Sequence, residues 1–164
     1  MSAGLLFLVQ GVLILQPTHT PKQKETGTVL HSVFNGIGLS ALIAGAVVIE
    51  VNKFDHDAAH FTSIHGKLGL ITLILFIIQA LVGITQFYTP ALYGGIDQAK
   101  SIWKYHRVSG YIVLPLSLAT VCAATQVDFN KNILHIQLWT LIVASVLIVT
   151  GLGARVHLQK LGLK

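Results

Sequence analysis

Charge is what this 164-residue sequence has least of: only 10% of its residues are Asp, Glu, Lys or Arg, against about 25% in soluble domains. Together with 53% hydrophobic residues, that excludes intrinsic disorder, which needs high charge and low hydrophobicity. A single cysteine excludes a disulfide framework or a cysteine-rich zinc site. The net charge is +5, yet the basic residues are dispersed between apolar blocks and form no stripe, so nucleic acid is not an expected partner. Internal repeats, low-complexity tracts and the alternating ten-residue segments of a membrane β-barrel are absent as well.

What the sequence does have is long apolar runs. Five blocks stand out, at about 1–16, 28–51, 61–88, 103–126 and 133–156. The last four reach the roughly 20 residues that cross a bilayer as helix. The expected fold is therefore all-α, an integral membrane bundle of about five transmembrane helices forming one domain over 1–164. The first block covers only about 24 Å as a helix. It lacks the basic n-region and A-x-A site of a signal peptide, so it reads as a short or clipped spanning helix. Loop charges set the orientation. Lys22, Lys24, Lys100, Lys104, Arg107, Arg155, Lys160 and Lys164 fall on one side, whereas Lys53, Lys67 and Lys131 fall on the other. The richer side, with the C-terminus, is expected to be cytoplasmic.

Eight histidines are many for so apolar a chain, and a histidine within a span is a functional candidate by default. His31 and His106 stand in the first turn or two of blocks that run in the same direction, which puts them at similar depth in the cytoplasmic half. Two facing neutral imidazoles suit axial ligation of a haem iron. They suit zinc less, because no Cys, Asp or Glu lies near both. A packing role, each imidazole bonded to a hydroxyl or carbonyl, is the competing reading. His65 opens a block of opposite direction and belongs to the outer half. Gly66, Gly69 and Gly110 lie about one turn from His65 and His106, where they admit either a flat macrocycle or a neighbouring helix. His135 opens the last block near the depth of His65 and is a candidate partner for it. His19, His56 and His60 fall in loops, and His157 at the inner interface.

The segments FTSIHGKLGL, IIQALVG and WKYHRVSGYIVL resemble the eukaryotic cytochrome b561 family of transmembrane electron carriers. The resemblance implies a four-helix core with one histidine per helix, together binding two b-type haems. It pairs His31 with His106 at the inner haem, as the depth argument does, and gives His65 to the outer one. The first block, MSAGLLFLVQGVLIL, resembles the family's first core helix from just after its His-Pro motif. The first ligand and the family's peripheral N-terminal helix are thus expected to be missing. One haem b is expected; a second depends on His135, on a second subunit, or on this sequence being a shortened form of a longer chain.

No catalytic acid–base dyad is expected, since electron transfer rearranges no bulky substrate. The expectation is a transmembrane oxidoreductase of the ascorbate-dependent or ferric-chelate type. By the resemblance, the donor is cytosolic ascorbate and the acceptor monodehydroascorbate or ferric iron outside. Lys22, Lys24, Lys100, Lys104 and Arg107 would form a cationic mouth for an anionic donor, or else set topology and bind headgroups. His60 and Lys67 are outer-site candidates. Expected partners are membrane lipid, the small anionic donor and a second copy of the chain, in an endomembrane or plasma membrane. The alternatives are a haem-bearing anchor subunit of a larger reductase and a non-redox membrane scaffold.

Overall fold

The computed structural model describes residues 2–156. His157, Lys160 and Lys164 lie outside the described residues. Five α-helices follow one another: α1 Ser2–Ile14, α2 Pro21–Asp55, α3 Ile64–Tyr88, α4 Ile96–Ala124 and α5 Leu138–Gly153. No strand occurs among the described residues. Three helices, α2, α3 and α4, are long and apolar enough to cross a membrane, while α1 and α5 are shorter apolar helices.

Local chemistry fixes the helix ends. Thr20 caps α2 through Gln23, with the Gln23 side chain returning to the Thr20 N–H and Pro21 in the first turn, a complete capping box. Ser63 caps α3 by accepting from Gly66 N–H at 3.0 Å. Between α3 and α4, a short 3-10 turn at Pro90–Tyr93 runs into Gly94 and Gly95, whose φ angles of 87° and 116° require residues without a Cβ.

Helix α2 starts at Pro21 and α4 at Ile96, ahead of the apolar runs that announced them, because polar first turns such as KQKE still fold once capped. His31 and His106 consequently sit ten residues into their helices (31 − 21 and 106 − 96), not in the first turn or two. The equal offset preserves the matched depth. At the other end, α5 starts only at Leu138. A π-turn at Phe129–Ile133 and the left-handed backbone of His135, φ 50°, take up the intervening residues.

Helix α1 lies antiparallel on α2 in strict register. Gly4 faces Gly38, Gly11 faces His31 and Leu15 meets Gly27, so each facing pair adds to the same sum of 42. A Cβ on Gly4 would come within 2.8 Å of the Gly38 carbonyl oxygen, and one on Gly38 within 2.8 Å of the Gly4 carbonyl oxygen. Such backbone contact is how helices associate where lipid removes any hydrophobic drive between them. Helices α3 and α4 pair similarly, α2 meets α3, and α5 rests on α4.

The interior is unusually polar and the exterior unusually apolar. Thr72, Gln86, Ser117, Thr120 and Thr125 are buried, whereas Val48 and Leu147 are 65% and 66% exposed. That inversion belongs to a bundle whose outer solvent is hydrocarbon: polar groups must find partners inside. Thr72 and Thr120 do so with each other, at 3.1 Å.

Candidate redox-cofactor site

The core of the bundle brings His31 and His106 together. Their rings stand edge to face at 86°, with centroids 6.4 Å apart. They share a partly open cavity of about 80 Å³ lined by four helices, through Leu8 and Val12 of α1, Asn35 and Leu39 of α2, Phe76, Gln79 and Ala80 of α3, and Gly110 of α4. Among the described residues, no group of three His, Cys, Asp or Glu gathers to hold a metal ion. The donor set here is two imidazoles.

Each imidazole is held differently. Nδ1 of His31 donates to the Gly11 carbonyl oxygen at 2.9 Å. Asn35, one turn along α2, donates to the His31 carbonyl oxygen at 2.7 Å, and its amide nitrogen lies 3.2 Å from His31 Nδ1. His106 lies against α3 at Gly83, where a Cβ would come within 3.0 Å of its Cε1. Its Nδ1 is buried with no hydrogen-bond partner among the described residues. Gln79 lines the cavity and donates to Ser109. Ser109 in turn donates to the carbonyl of His106 at 3.1 Å.

These residues fit an iron porphyrin that fills its own equatorial positions. With Nδ1 against a carbonyl oxygen, Nε2 is the nitrogen of His31 left free to bind a metal, as in the usual outer-shell arrangement of a ligating histidine. A Cβ added at Gly110 would meet nothing within 4 Å, so the cavity has an open wall there. At about 80 Å³ the cavity is below the roughly 300 Å³ of ordinary ligand pockets. Admitting a macrocycle therefore calls for lining side chains such as Leu39 and Phe76 to swing aside.

His65 stands apart, in the first turn of α3, with Nδ1 donating to the Thr120 carbonyl oxygen at 3.0 Å. His135 does not open α5. It lies exposed in the connection before it, where its left-handed backbone interrupts helical continuation. His60 is half-buried rather than solvated: it pairs with Glu50 and packs its ring on Phe54 at 4.7 Å. Glu50 also meets Lys53 at 3.8 Å. Lys67 is exposed.

Of the basic residues, Lys22 lines an open pocket of about 540 Å³ with Gln23, Thr26 and Pro17. Lys24 and Lys100 are exposed, Lys104 lies over the Tyr105 ring at 5.2 Å, and Arg107 is half-buried. None of the five is in an ion pair among the described residues. The residues missed from sequence are the partners of the histidines: Asn35, betrayed by its i+4 spacing from His31, and the carbonyls of Gly11 and Thr120, which no side chain announces.

Residues 1–131 match the family described as eukaryotic cytochrome b561. The ascorbate-specific transmembrane electron transporter 2 of Zea mays is 33% identical over 98 residues, 58% of this chain and 39% of that protein. The transmembrane ascorbate-dependent reductases CYB561 of Homo sapiens and Pongo abelii are each 28% identical over 121 residues, 73% of this chain and 47% of theirs. The chain thus spans less than half the length of these curated relatives. No solved structure matches it.

Proposed function

Because the chain belongs to the eukaryotic cytochrome b561 family, we propose that it carries electrons across a membrane, with b-type haem as its redox group and an ascorbate-like anion as its donor. The observation carrying this reading is the His31–His106 pair, with ring centroids 6.4 Å apart in a cavity lined by four helices. His31 and His106 are the residues that would hold haem b, and the bound group would supply an iron that changes charge by one electron. Leu8, Val12 and Phe76 keep water from the pair.

The donor approaches the face where α2 and α4 begin. There Lys22, Lys24, Lys100, Lys104 and Arg107 raise the local concentration of a small anion, and the pocket beside Lys22 gives it a seat. That face is cytoplasmic, as is the C-terminus. His65, near the other end of the bundle, would be a ligand of any second haem. His60 and Lys67 lie toward the acceptor, which is monodehydroascorbate or ferric iron. His135 is not assigned a ligand role, because it is exposed outside α5. Residues 1–164 act as one membrane domain, in an endomembrane or the plasma membrane.

The test is the reduced-minus-oxidised spectrum of the purified chain, with its haem-to-polypeptide ratio and its reduction by ascorbate. A b-type spectrum that ascorbate produces supports the reading. Haem absorbance without ascorbate reduction points instead to an anchor subunit fed by a partner protein. A colourless chain would make the histidines packing residues and end the proposal.

A further inference from the structure

The neighbours of His31 make opposite demands on one atom. The Gly11 carbonyl, 2.9 Å from Nδ1, has only lone pairs and needs a proton on Nδ1. The Asn35 amide nitrogen, 3.2 Å from the same atom, has only protons and would need Nδ1 bare. A neutral imidazole carries one N–H, so meeting one demand refuses the other and fixes which nitrogen keeps a free lone pair. We infer that the Gly11 carbonyl and the Asn35 amide compete for the tautomer of His31, and that the close docking of α1 decides the contest in favour of Nδ1–H. Asn35 does not lose a bond by this outcome, because it donates to the His31 carbonyl oxygen at 2.7 Å.

The geometry makes α1 the deciding element. Gly11 reaches His31 in the same register that sets Gly4 against Gly38. A Cβ at position 11 would come within 2.3 Å of the Asn35 amide nitrogen, 3.1 Å of Asn35 Cγ and 3.3 Å of Phe34 Cβ. Phe34 Cβ is fixed to the α2 backbone, so a side chain there drives α1 back from α2. Gly11 and Asn35 are positioning residues: neither touches the His106 ring, and both act through His31. With α1 displaced, Nδ1 turns to the Asn35 amide and the proton moves to Nε2. His31 then has no lone pair at the nitrogen that the proposed function uses. This inference rests on that reading for its consequence, but the tautomer itself does not depend on haem.

The test uses the full chain, labelled with ¹⁵N-histidine, produced in a host unable to make haem and held in detergent. The His31 signal is identified by its loss in His31→Gln. The wild type is expected to show a protonated Nδ1 and a bare Nε2. Gly11→Ala is expected to reverse the pattern, and Gly11→Ala/Asn35→Ala, which removes the competing donor and the two closest contacts and leaves only Phe34 Cβ at 3.3 Å, to restore it. Subsequent haemin titration is expected to give affinity about 10- to 100-fold weaker for Gly11→Ala, the usual range for losing an outer-shell partner, and recovery in the double variant. A bare Nδ1 in the wild type would overturn the inference, as would a double variant that behaves like Gly11→Ala. If Gly11→Ala does not fold, the wild-type tautomer and that of Asn35→Ala, expected to stay Nδ1–H, still decide it. The expected tautomers with no haemin uptake in any chain would overturn the proposed function and leave this inference standing.

Discussion

His31 and His106 stand at the same distance from the start of their helices, ten residues in, and meet edge to face with ring centroids 6.4 Å apart. Two helices of equal offset and common direction deliver their side chains to one level of the bundle. At 1.5 Å per residue that level is about 15 Å along each helix, within its apolar stretch, where an imidazole is costly unless it is used.

Replacing either ring should therefore remove the same cofactor. His31→Ala and His106→Ala are each expected to abolish the inner haem, and the double variant to lose nothing further, because two ligands of one iron act as a unit. His135→Ala, exposed and outside α5, is expected to leave it untouched. Haem per polypeptide measures this directly. Equal loss in the His106 and His135 variants would mean that the pairing is wrong.

The Gly4–Gly38 contact sets a second expectation. A side chain at Gly38 meets the Gly4 carbonyl oxygen at 2.8 Å and Leu8 Cγ at 2.9 Å, and neither backbone nor packed Leu8 has room to yield. Gly38→Val should cost about 1–3 kcal/mol, the usual penalty of overpacking, and lower the thermal midpoint in detergent. Gly36 lies in the same helix, with nothing within 4 Å of an added Cβ. Gly36→Ala should instead gain about 0.5–1 kcal/mol from reduced backbone freedom. Equal behaviour of the two variants would show that α1 does not dock as described.

How far such features are legible in the sequence depends on their range. Long apolar runs announce α2, α3 and α4, because a helix crossing a bilayer must satisfy its backbone within itself. The same runs misplace the starts of α2 and α4, where capping residues and polar turns extend the helix beyond the apolar stretch. They also carry the last helix back to His135, whose left-handed backbone is decided by the turn it closes rather than by hydropathy. The pairing of His31 with His106 was readable from direction and depth alone. What orients them was not. Gly11 and Thr120 contribute carbonyl oxygens, identical in every residue, so only the register between helices reveals which one faces an imidazole.

The basic face yields a kinetic expectation. Lys104 is exposed and Arg107 half-buried beside His106, and neither is in an ion pair among the described residues. If they draw in an anionic donor, Lys104→Glu and Arg107→Glu should raise KM for ascorbate several-fold and change kcat less. The difference from wild type should shrink as ionic strength rises and the Debye length falls from about 10 Å toward 3 Å. Steady-state reduction at several salt concentrations tests this. A KM that does not respond to charge reversal would leave these residues as topology determinants only.

At the opposite end, two hydroxyls separate the stability of the α3–α4 interface from the orientation of His65. Thr72 Oγ1 and Thr120 Oγ1 bond each other at 3.1 Å, and Thr120 Oγ1 also donates to the Leu116 carbonyl oxygen at 2.9 Å. His65 Nδ1 uses a different atom, the main-chain oxygen of Thr120, at 3.0 Å. Thr72→Val and Thr120→Val delete the hydroxyl bond while keeping shape, and each should cost about 0.6 kcal/mol, the average for hydrogen bonds between membrane helices. Both should leave His65 with a protonated Nδ1, because the carbonyl is untouched. Thermal unfolding reads the first effect, and the ¹⁵N signal of the His65 ring reads the second. A change of His65 tautomer in Thr120→Val but not in Thr72→Val would mean that the ring is held through the side chain of Thr120, and that the carbonyl contact is secondary.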